Sequence, residues 1–211
     1  MPYMKAKIPT ILKINPENPP ERLLRQVVAA LEAGELIGYP TDTGYALGCD
    51  LYNTKGIARL YQIKRRPLSK PFSFICADLK NISEYARVGN YAYKTMKRLL
   101  PGPYTFILEA SRQVPKILQT RRNTVGIRVP NHPIALGLIR LLGHPIISTG
   151  ANLAGSLAES DPYNIAEMFK GQLALVIDAG IILPAPSSVI SLIDDVPEVI
   201  RAGQGDVSAF A

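Results

Sequence analysis

Apolar residues along this chain fall into two rhythms: short continuous runs, and stretches where Leu, Val and Ile recur every three or four residues. Ile8 to Ile14 is a run of the first kind and predicts a strand. Pro19-Pro20 then opens a helix in which Leu23, Leu24, Val27, Val28 and Leu31 keep to one face, and Gly34 stops it. Leu36 to Tyr39 predicts a strand that ends at Pro40, and Ala46 to Leu51 is the next apolar run. Asn53 or Thr54 caps a helix through Tyr61. The alternation continues with a strand at Phe72 to Ala77 and helices near Leu79 to Ala86 and Tyr91 to Leu100, the second with Lys94, Lys97 and Arg98 outward. A strand at Tyr104 to Leu108, a helical turn at Val114 to Leu118 and a strand at Thr124 to Pro130 follow. A helix over Pro133 to Leu142, a strand at Pro145 to Thr149 and a helix begun by Ser160-Asp-Pro lead to strands at Leu173 to Asp178, Ser188 to Leu192 and Val199 to Arg201. Strands alternating with helices predict an α/β fold, and the closing cluster of strands adds antiparallel pairs to a mixed sheet.

One stretch organises this pattern, Tyr39-Pro-Thr-Asp-Thr-Gly-Tyr-Ala-Leu-Gly48, where an apolar strand hands over to hydroxyls and a glycine. Open α/β sheets place ligands at such strand ends. The segment Lys64 to Pro71 with its four cations, Pro101-Gly-Pro-Tyr-Thr105, Ser148-Thr-Gly-Ala-Asn152 and Ser187-Ser188 also stand at the edges of apolar runs. Their shared placement predicts one site. Clustered cations repel unless an anion neutralises them, although a solvated basic loop would carry the same residues. Thr105 by itself is explained by strand propensity. Arg128 lies among Val125, Ile127 and Val129; inward it needs a partner or an anionic ligand, and outward it needs neither.

Composition narrows the classes. With 211 residues, 47% hydrophobic and 19% charged, the chain is expected to form one folded domain over residues 1–211. No apolar run reaches the length of a membrane span and the N-terminal segment has no hydrophobic signal core, so a cytoplasmic location is expected. Cys49 and Cys76 sit in apolar runs and are read as buried thiols, and His132 and His144 have no partner at metal-ligand spacing. The net charge of +7 points to an anionic partner, nucleotide or nucleic acid.

Taken in order, Pro-Thr-Asp-Thr-Gly-Tyr-Ala-Leu-Gly, Lys-Arg-Arg-Pro, Pro-Gly-Pro-Tyr-Thr, Gly-Ile-Arg-Val-Pro-Asn-His-Pro, Ser-Thr-Gly-Ala-Asn-Leu-Ala-Gly and Ser-Ser-Val-Ile resemble the YrdC/YciO family of threonylcarbamoyl-AMP synthases and relatives. The likeness runs from about Ile14 to Phe210. Pro-Glu-Asn-Pro before the first helix, Gly44-Tyr-Ala-Leu-Gly-Cys49, Ser160-Asp-Pro162 and Gly203-Gln-Gly-Asp-Val207 resemble its YciO branch. The resemblance implies a single-domain, twisted, open mixed sheet with helices on its faces and a concave basic surface. It also implies a reaction: ATP, L-threonine and bicarbonate give threonylcarbamoyl-AMP and pyrophosphate, for the threonylcarbamoyladenosine modification of tRNA.

Carried over residue by residue, the resemblance implies Lys64 and Arg66 as catalytic cations on the polyphosphate, Arg66 also on the carbamate. Lys64, Thr105, Ser148, Asn152 and Arg201 would bind the nucleotide. Thr41, Tyr45, Arg66, Arg128 and Ser187 would bind the amino-acid substrate. Magnesium is expected with ATP, held by its phosphates rather than by a protein cage. Where the family has a serine two positions before Asn152, this chain has Gly150. The missing hydroxyl costs most if its partner is left dry, with Ser148, Thr149 or a water as substitutes. The alternative is a double-stranded RNA or tRNA-binding protein without efficient synthase activity. In that reading Lys64, Arg65, Arg66, Lys70, Arg121 and Arg122 contact phosphates, and Tyr45, Phe72 and Tyr104, where exposed, stack on bases. tRNA-modification proteins are the expected protein partners. A third reading is a nucleotide-binding regulator that retains the fold.

Overall fold

Eleven strands form one mixed sheet in a computed structural model that describes residues 7–67, 69–153, 156 and 158–210. In chain order the strands are β1 (Thr10–Lys13), β2 (Ile37–Thr41), β3 (Gly44–Asp50), β4 (Ser73–Ile75), β5 (Ala86–Arg87), β6 (Tyr104–Ala110), β7 (Thr124–Arg128), β8 (Ile146–Gly150), β9 (Leu175–Asp178), β10 (Ser188–Ser191) and β11 (Glu198–Arg201). The helices are α1 (Glu21–Glu32), α2 (Thr54–Ile63), α3 (Leu79–Tyr85), α4 (Asn90–Leu99), α5 (Pro133–Leu142) and α6 (Pro162–Met168). Across the sheet the order is β1, β9, β2, β3, β8, β4, β7, β6, β10, β11, with β5 beside β6. Parallel pairs join β1 to β9, β9 to β2, β4 to β7 and β6 to β10; the others are antiparallel. The expected antiparallel pairing near the C-terminus is the β10–β11 ladder.

Several ends follow from local chemistry. Asn53 caps α2 by accepting from the Gly56 N–H at 2.8 Å, and Asp161 caps α6 from the Tyr163 N–H at 2.8 Å. Asp195 lies far off in sequence and caps α4 through the Ala92 N–H at 3.1 Å. One expectation is corrected: β2 does not end at Pro40 but runs through it to Thr41, with Pro40 opposite Tyr45. β9 pairs with β2 only at Ile37 and Gly38, so one edge of β2 is free at Pro40 and the missing N–H breaks no ladder bond. The two residues Asp42 and Thr43 then close a hairpin to Gly44, whose φ of +118° favours glycine.

Side-chain alternation divides the sheet into two faces. One carries Leu47, Cys49, Phe74, Phe106, Leu108, Val125, Ile127 and Ile147 into a continuous core with α2, α4 and α6. On the other, Ile37, Tyr39, Ala46, Ile75, Ile146, Leu175 and Ile177 pack under α1 and α5. Those helices leave the β4–β7–β6–β10 part of the second face half-open, with Ser73, Gly126, Ile107 and Val189 partly exposed along it. The small residues make a shallow floor there. Among the described residues no helix is long and apolar enough to cross a membrane.

Candidate functional site

Lys64 is the C-cap of α2, where the chain leaves the helix toward the end of the sheet at which β8 finishes. Its ammonium donates to the Gly150 carbonyl at 2.8 Å, to Asn152 Oδ1 at 2.5 Å and to the Asn152 carbonyl. All three donors are occupied. The side chain is only 5% exposed, and burial followed by repulsion from Arg66 lowers its pKa from 10.5 to about 8. Asn152 in turn donates to the Ser156 carbonyl at 2.8 Å, which ties the turn together. Ala154 and Gly155 of the glycine-bearing turn predicted after β8 lie outside the described residues, as does Leu68 of the basic segment.

The Gly150 substitution does not leave Lys64 dry and unpaired. Main-chain and amide oxygens of residues 150 and 152 take its protons, and Ser148, named above as a substitute, is engaged elsewhere. A Cβ at Gly150 would meet its nearest neighbour, Asn152 Oδ1, at 3.4 Å, so the exposed turn has room for a serine.

Arg66 is half-buried and oriented by its own loop: Nε donates to the Lys70 carbonyl at 2.9 Å and Nη2 to the Pro71 carbonyl at 3.1 Å, with the guanidinium 5.2 Å above the Phe72 ring. Arg65 and Lys70 are exposed beside it.

A second group links Thr105, Ser187 and Arg201. The Thr105 and Ser187 hydroxyls are 2.9 Å apart, and Arg201 donates Nε and Nη2 to the Ser187 carbonyl at 3.1 and 2.7 Å. The parallel β6–β10 pair and the β10–β11 hairpin bring these three together from distant parts of the chain. Ser187, expected with the amino acid, therefore shares a cluster with two residues expected on the nucleotide.

A third group surrounds the β2–β3 hairpin. Thr41 is 2% exposed; its hydroxyl donates to the Gly44 carbonyl at 2.6 Å and accepts from the Thr43 N–H at 3.2 Å, so it shapes the turn. The Thr43 carbonyl accepts from Ala185, which connects the turn to the segment leading into Ser187. Arg128 is buried, and its Nη2 pairs with Asp42 Oδ1 across the sheet face. The open choice for Arg128 is thus resolved inward, with a protein carboxylate as its partner.

Tyr39, which its apolar neighbours present only as a strand residue, lies beneath these groups. Its phenol donates to Ser148 Oγ at 2.7 Å, and Ser148 passes the bond to the Leu47 carbonyl at 3.3 Å. Burial pushes the phenol up to about 12, against the opposing pull of the Ser148 bond and the Arg128 cation. Gly48 makes this possible, because a Cβ there would fall 2.9 Å from Tyr39 Cε1. Ser148 is consequently 5% exposed and spent on Tyr39.

Tyr45 does not line the open face. It is 2% exposed, its hydroxyl donates to the Gly180 carbonyl at 2.7 Å and accepts from the Ala179 N–H at 3.0 Å, and burial raises its pKa to about 12. Phe72 and Tyr104 are also buried, which removes all three aromatics as a stacking platform. Cys49 and Cys76 are buried as expected, and burial pushes both thiols up. Of two clefts of about 350 and 410 Å³, one is lined by Arg87, Glu109 and Asp195, the other by Lys13, Asp161, Asp178 and Gly180, the acceptor of the Tyr45 hydroxyl.

Sequence reasoning missed Tyr39 and Asp42. Asp42 had a signal: it is the one acid in a hydroxyl-rich turn, while Arg128 stands in an apolar strand in need of a partner. Tyr39 had none, since its apolar neighbours explain it fully.

Residues 29–203 match the family profile of Sua5, YciO and YrdC, described as telomere recombination. The uncharacterized YciO protein of Escherichia coli K12 is 43% identical over 93% of this chain and 97% of its own, and the crystal structure of E. coli YciO superposes with a TM-score of 0.92 over 96% of this chain and 100% of its own. The threonylcarbamoyl-AMP synthase of Bacillus subtilis is 34% identical over 85% of this chain but only 53% of its own. The structure of Pyrococcus abyssi Sua5 complexed with L-threonine gives a TM-score of 0.85 at 31% identity, over 92% of this chain and 57% of that one. With most of its length matched, and the fold shared with both branches, the chain belongs to the Sua5/YciO/YrdC family.

Proposed function

We propose that the protein is a threonylcarbamoyl-AMP synthase-type nucleotidyltransferase that joins L-threonine and bicarbonate to the AMP part of ATP and releases pyrophosphate. The observation that carries this reading is the meeting of Lys64 with Gly150 and Asn152, from segments more than eighty residues apart. Relatives at 31 to 34% identity that are threonylcarbamoyl-AMP synthases, and the L-threonine complex of P. abyssi Sua5, support it.

The carbamate of L-threonine would attack the α-phosphorus in line with the departing pyrophosphate. The step needs neutralised charge and alignment rather than a protein nucleophile. Lys64 holds the Gly150 to Asn152 turn in place and sets a cation beneath it, while the remaining Arg66 donors are available to polyphosphate or carbamate oxygens. Thr105, Ser187 and Arg201 would border the nucleotide, and Arg128 the amino-acid carboxylate. Magnesium accompanying ATP would lower the charge of the polyphosphate. The phosphates would supply most of its ligands.

The test is formation of AMP-containing product and pyrophosphate with and without L-threonine and bicarbonate. Lys64→Ala is expected to lose activity by about a hundredfold or more, and Gly150→Ser to gain severalfold by adding a phosphate donor. Hydrolysis independent of threonine, or none in any variant, refutes the reading.

One observation favours a second reading, RNA or tRNA binding. Arg65, Lys70, Arg121 and Arg122 are exposed, and none takes part in an ion pair among the described residues. With the aromatic platform buried, such binding would rest on phosphates and favour duplex over single-stranded RNA. tRNA-modification proteins would be its partners.

A further inference from the structure

Among the described residues, three buried polar atoms around the Arg128–Asp42 pair have no hydrogen-bond partner: Asp42 Oδ2, Arg128 Nε and His132 Nδ1. Buried polar groups in folded proteins are nearly always paired, so three orphans in one place require a reason. A carboxylate and a guanidinium ordinarily meet as two parallel bonds. Here only Nη2 and Oδ1 meet, with the two side chains 10% and 14% exposed. Asp42 thus grips one corner of the guanidinium. Arg128 Nη1, which has no hydrogen-bond partner among the described residues and is not one of the buried unpaired atoms, is left for something else.

The surroundings fix this geometry. The two-residue hairpin turn is held by the Thr41 bonds to Gly44 and Thr43, so Asp42 has little freedom. Arg128 ends β7 on the half-open face, paired in register with Ile75 of β4. His132 precedes α5 without capping it, and burial keeps its imidazole on the neutral side despite the nearby Asp42 charge. His132 therefore adds no second cation beside Asp42.

We infer that Asp42 is a positioning and specificity residue for the amino-acid substrate: by holding Arg128 through a single corner, it aims the remaining guanidinium donors at the substrate carboxylate. The inference rests on the synthase reading and deepens it. A guanidinium fixed in advance loses less freedom when the ligand arrives, and a misaligned one forfeits the second of its two bonds. Asp42 touches no reacting atom in this account; its effect passes entirely through Arg128.

The experiment measures KM for L-threonine and for ATP separately, with kcat, in wild type, Asp42→Ala, Asp42→Asn, Arg128→Gln and the Asp42→Ala/Arg128→Gln pair. Asp42→Ala should raise the threonine KM about tenfold to a hundredfold, with the ATP KM changed less than about threefold. Asp42→Asn keeps the shape and an acceptor oxygen, and should recover part of the loss. The double variant should be no worse than Arg128→Gln, since both act through one contact. Equal damage to both KM values, or effects of the single variants that multiply in the double, overturns the inference. If Asp42→Ala fails to fold, Asp42→Asn read against Arg128→Gln decides the same question. Wild type that makes no threonine-dependent product refutes the synthase reading instead. Calorimetric titration with L-threonine then decides the role of Asp42: binding weakened by Asp42→Asn upholds it, whereas equal binding, or none to wild type, overturns it.

Discussion

At the scale of single residues, Lys64 concentrates two opposing pressures. Burial disfavours its charge and brings its pKa down to about 8, yet its three donors are used on oxygen atoms that reward the charged form. Because the folded value lies below the ordinary 10.5, the unfolded chain holds more protons than the folded one between pH 8 and 10.5. Stability therefore gains from this group as pH rises through that window. Anion binding runs the other way, because neutral Lys64 offers no charge to a polyphosphate. We predict an alkaline fall in kcat/KM for ATP with a midpoint near 8, the value that belongs to the free protein. The midpoint in kcat should be higher, since bound phosphates favour the ammonium. Lys64→Arg stays charged and should show neither fall, even if its overall rate is lower. A wild-type profile that is flat to pH 9.5 would separate Lys64 from the polyphosphate altogether.

At the scale of elements, α2 delivers Lys64, and its first turn is fixed by the Asn53 side chain on the Gly56 N–H. Asn53→Ala leaves that donor without its side-chain acceptor and should cost about 1 kcal/mol in urea unfolding, with kcat/KM falling only where the helix end loosens. This cap was legible in the sequence because the physics is local: an amide next to the start of a periodic helix has one common use. Pro40 was misread because its tolerance depends on where β9 stops, which no local pattern reveals. Arg128 was legible as a question, since a cation among valines and isoleucines must find an anion or solvent. Its answer, Asp42, lies 86 residues away across the sheet. The family likeness named Lys64 and Asn152, which the structure brings into contact, and it also named Tyr45 as a substrate-binding residue, whose hydroxyl is committed to the Ala179–Gly180 turn. Motifs report which residues belong to a site; they do not report which of them point into it.

At the scale of the whole molecule, the sheet decides which charges can act together. Ser73 of β4 pairs in parallel with Gly126 of β7, so the chain entering β4 from Lys70 and the chain entering β7 from Arg121 and Arg122 arrive side by side at one sheet end. The excursion between β6 and β7 also carries exposed Arg112 and Lys116, and residues 110 to 128 contain no acid. These cations form no ion pairs among the described residues, so a phosphate backbone would meet them already free. Each phosphate neutralised steepens the fall of log affinity with log salt by about 0.7 to 0.9. If RNA binds here, Arg121→Gln/Arg122→Gln should flatten that slope by roughly 1.5, and a duplex should compete better than a single strand of equal length, because Tyr45, Phe72 and Tyr104 are buried and offer unpaired bases no platform. Arg121 and Arg122 make no hydrogen bond to Lys64 or Asn152, and Arg128 stands at the far end of β7, so the same substitutions should leave the threonine KM near its wild-type value. A slope unchanged by the double substitution would mean that this rim is only a solvated edge, and the chain's excess positive charge would then have to be accounted for by the nucleotide alone.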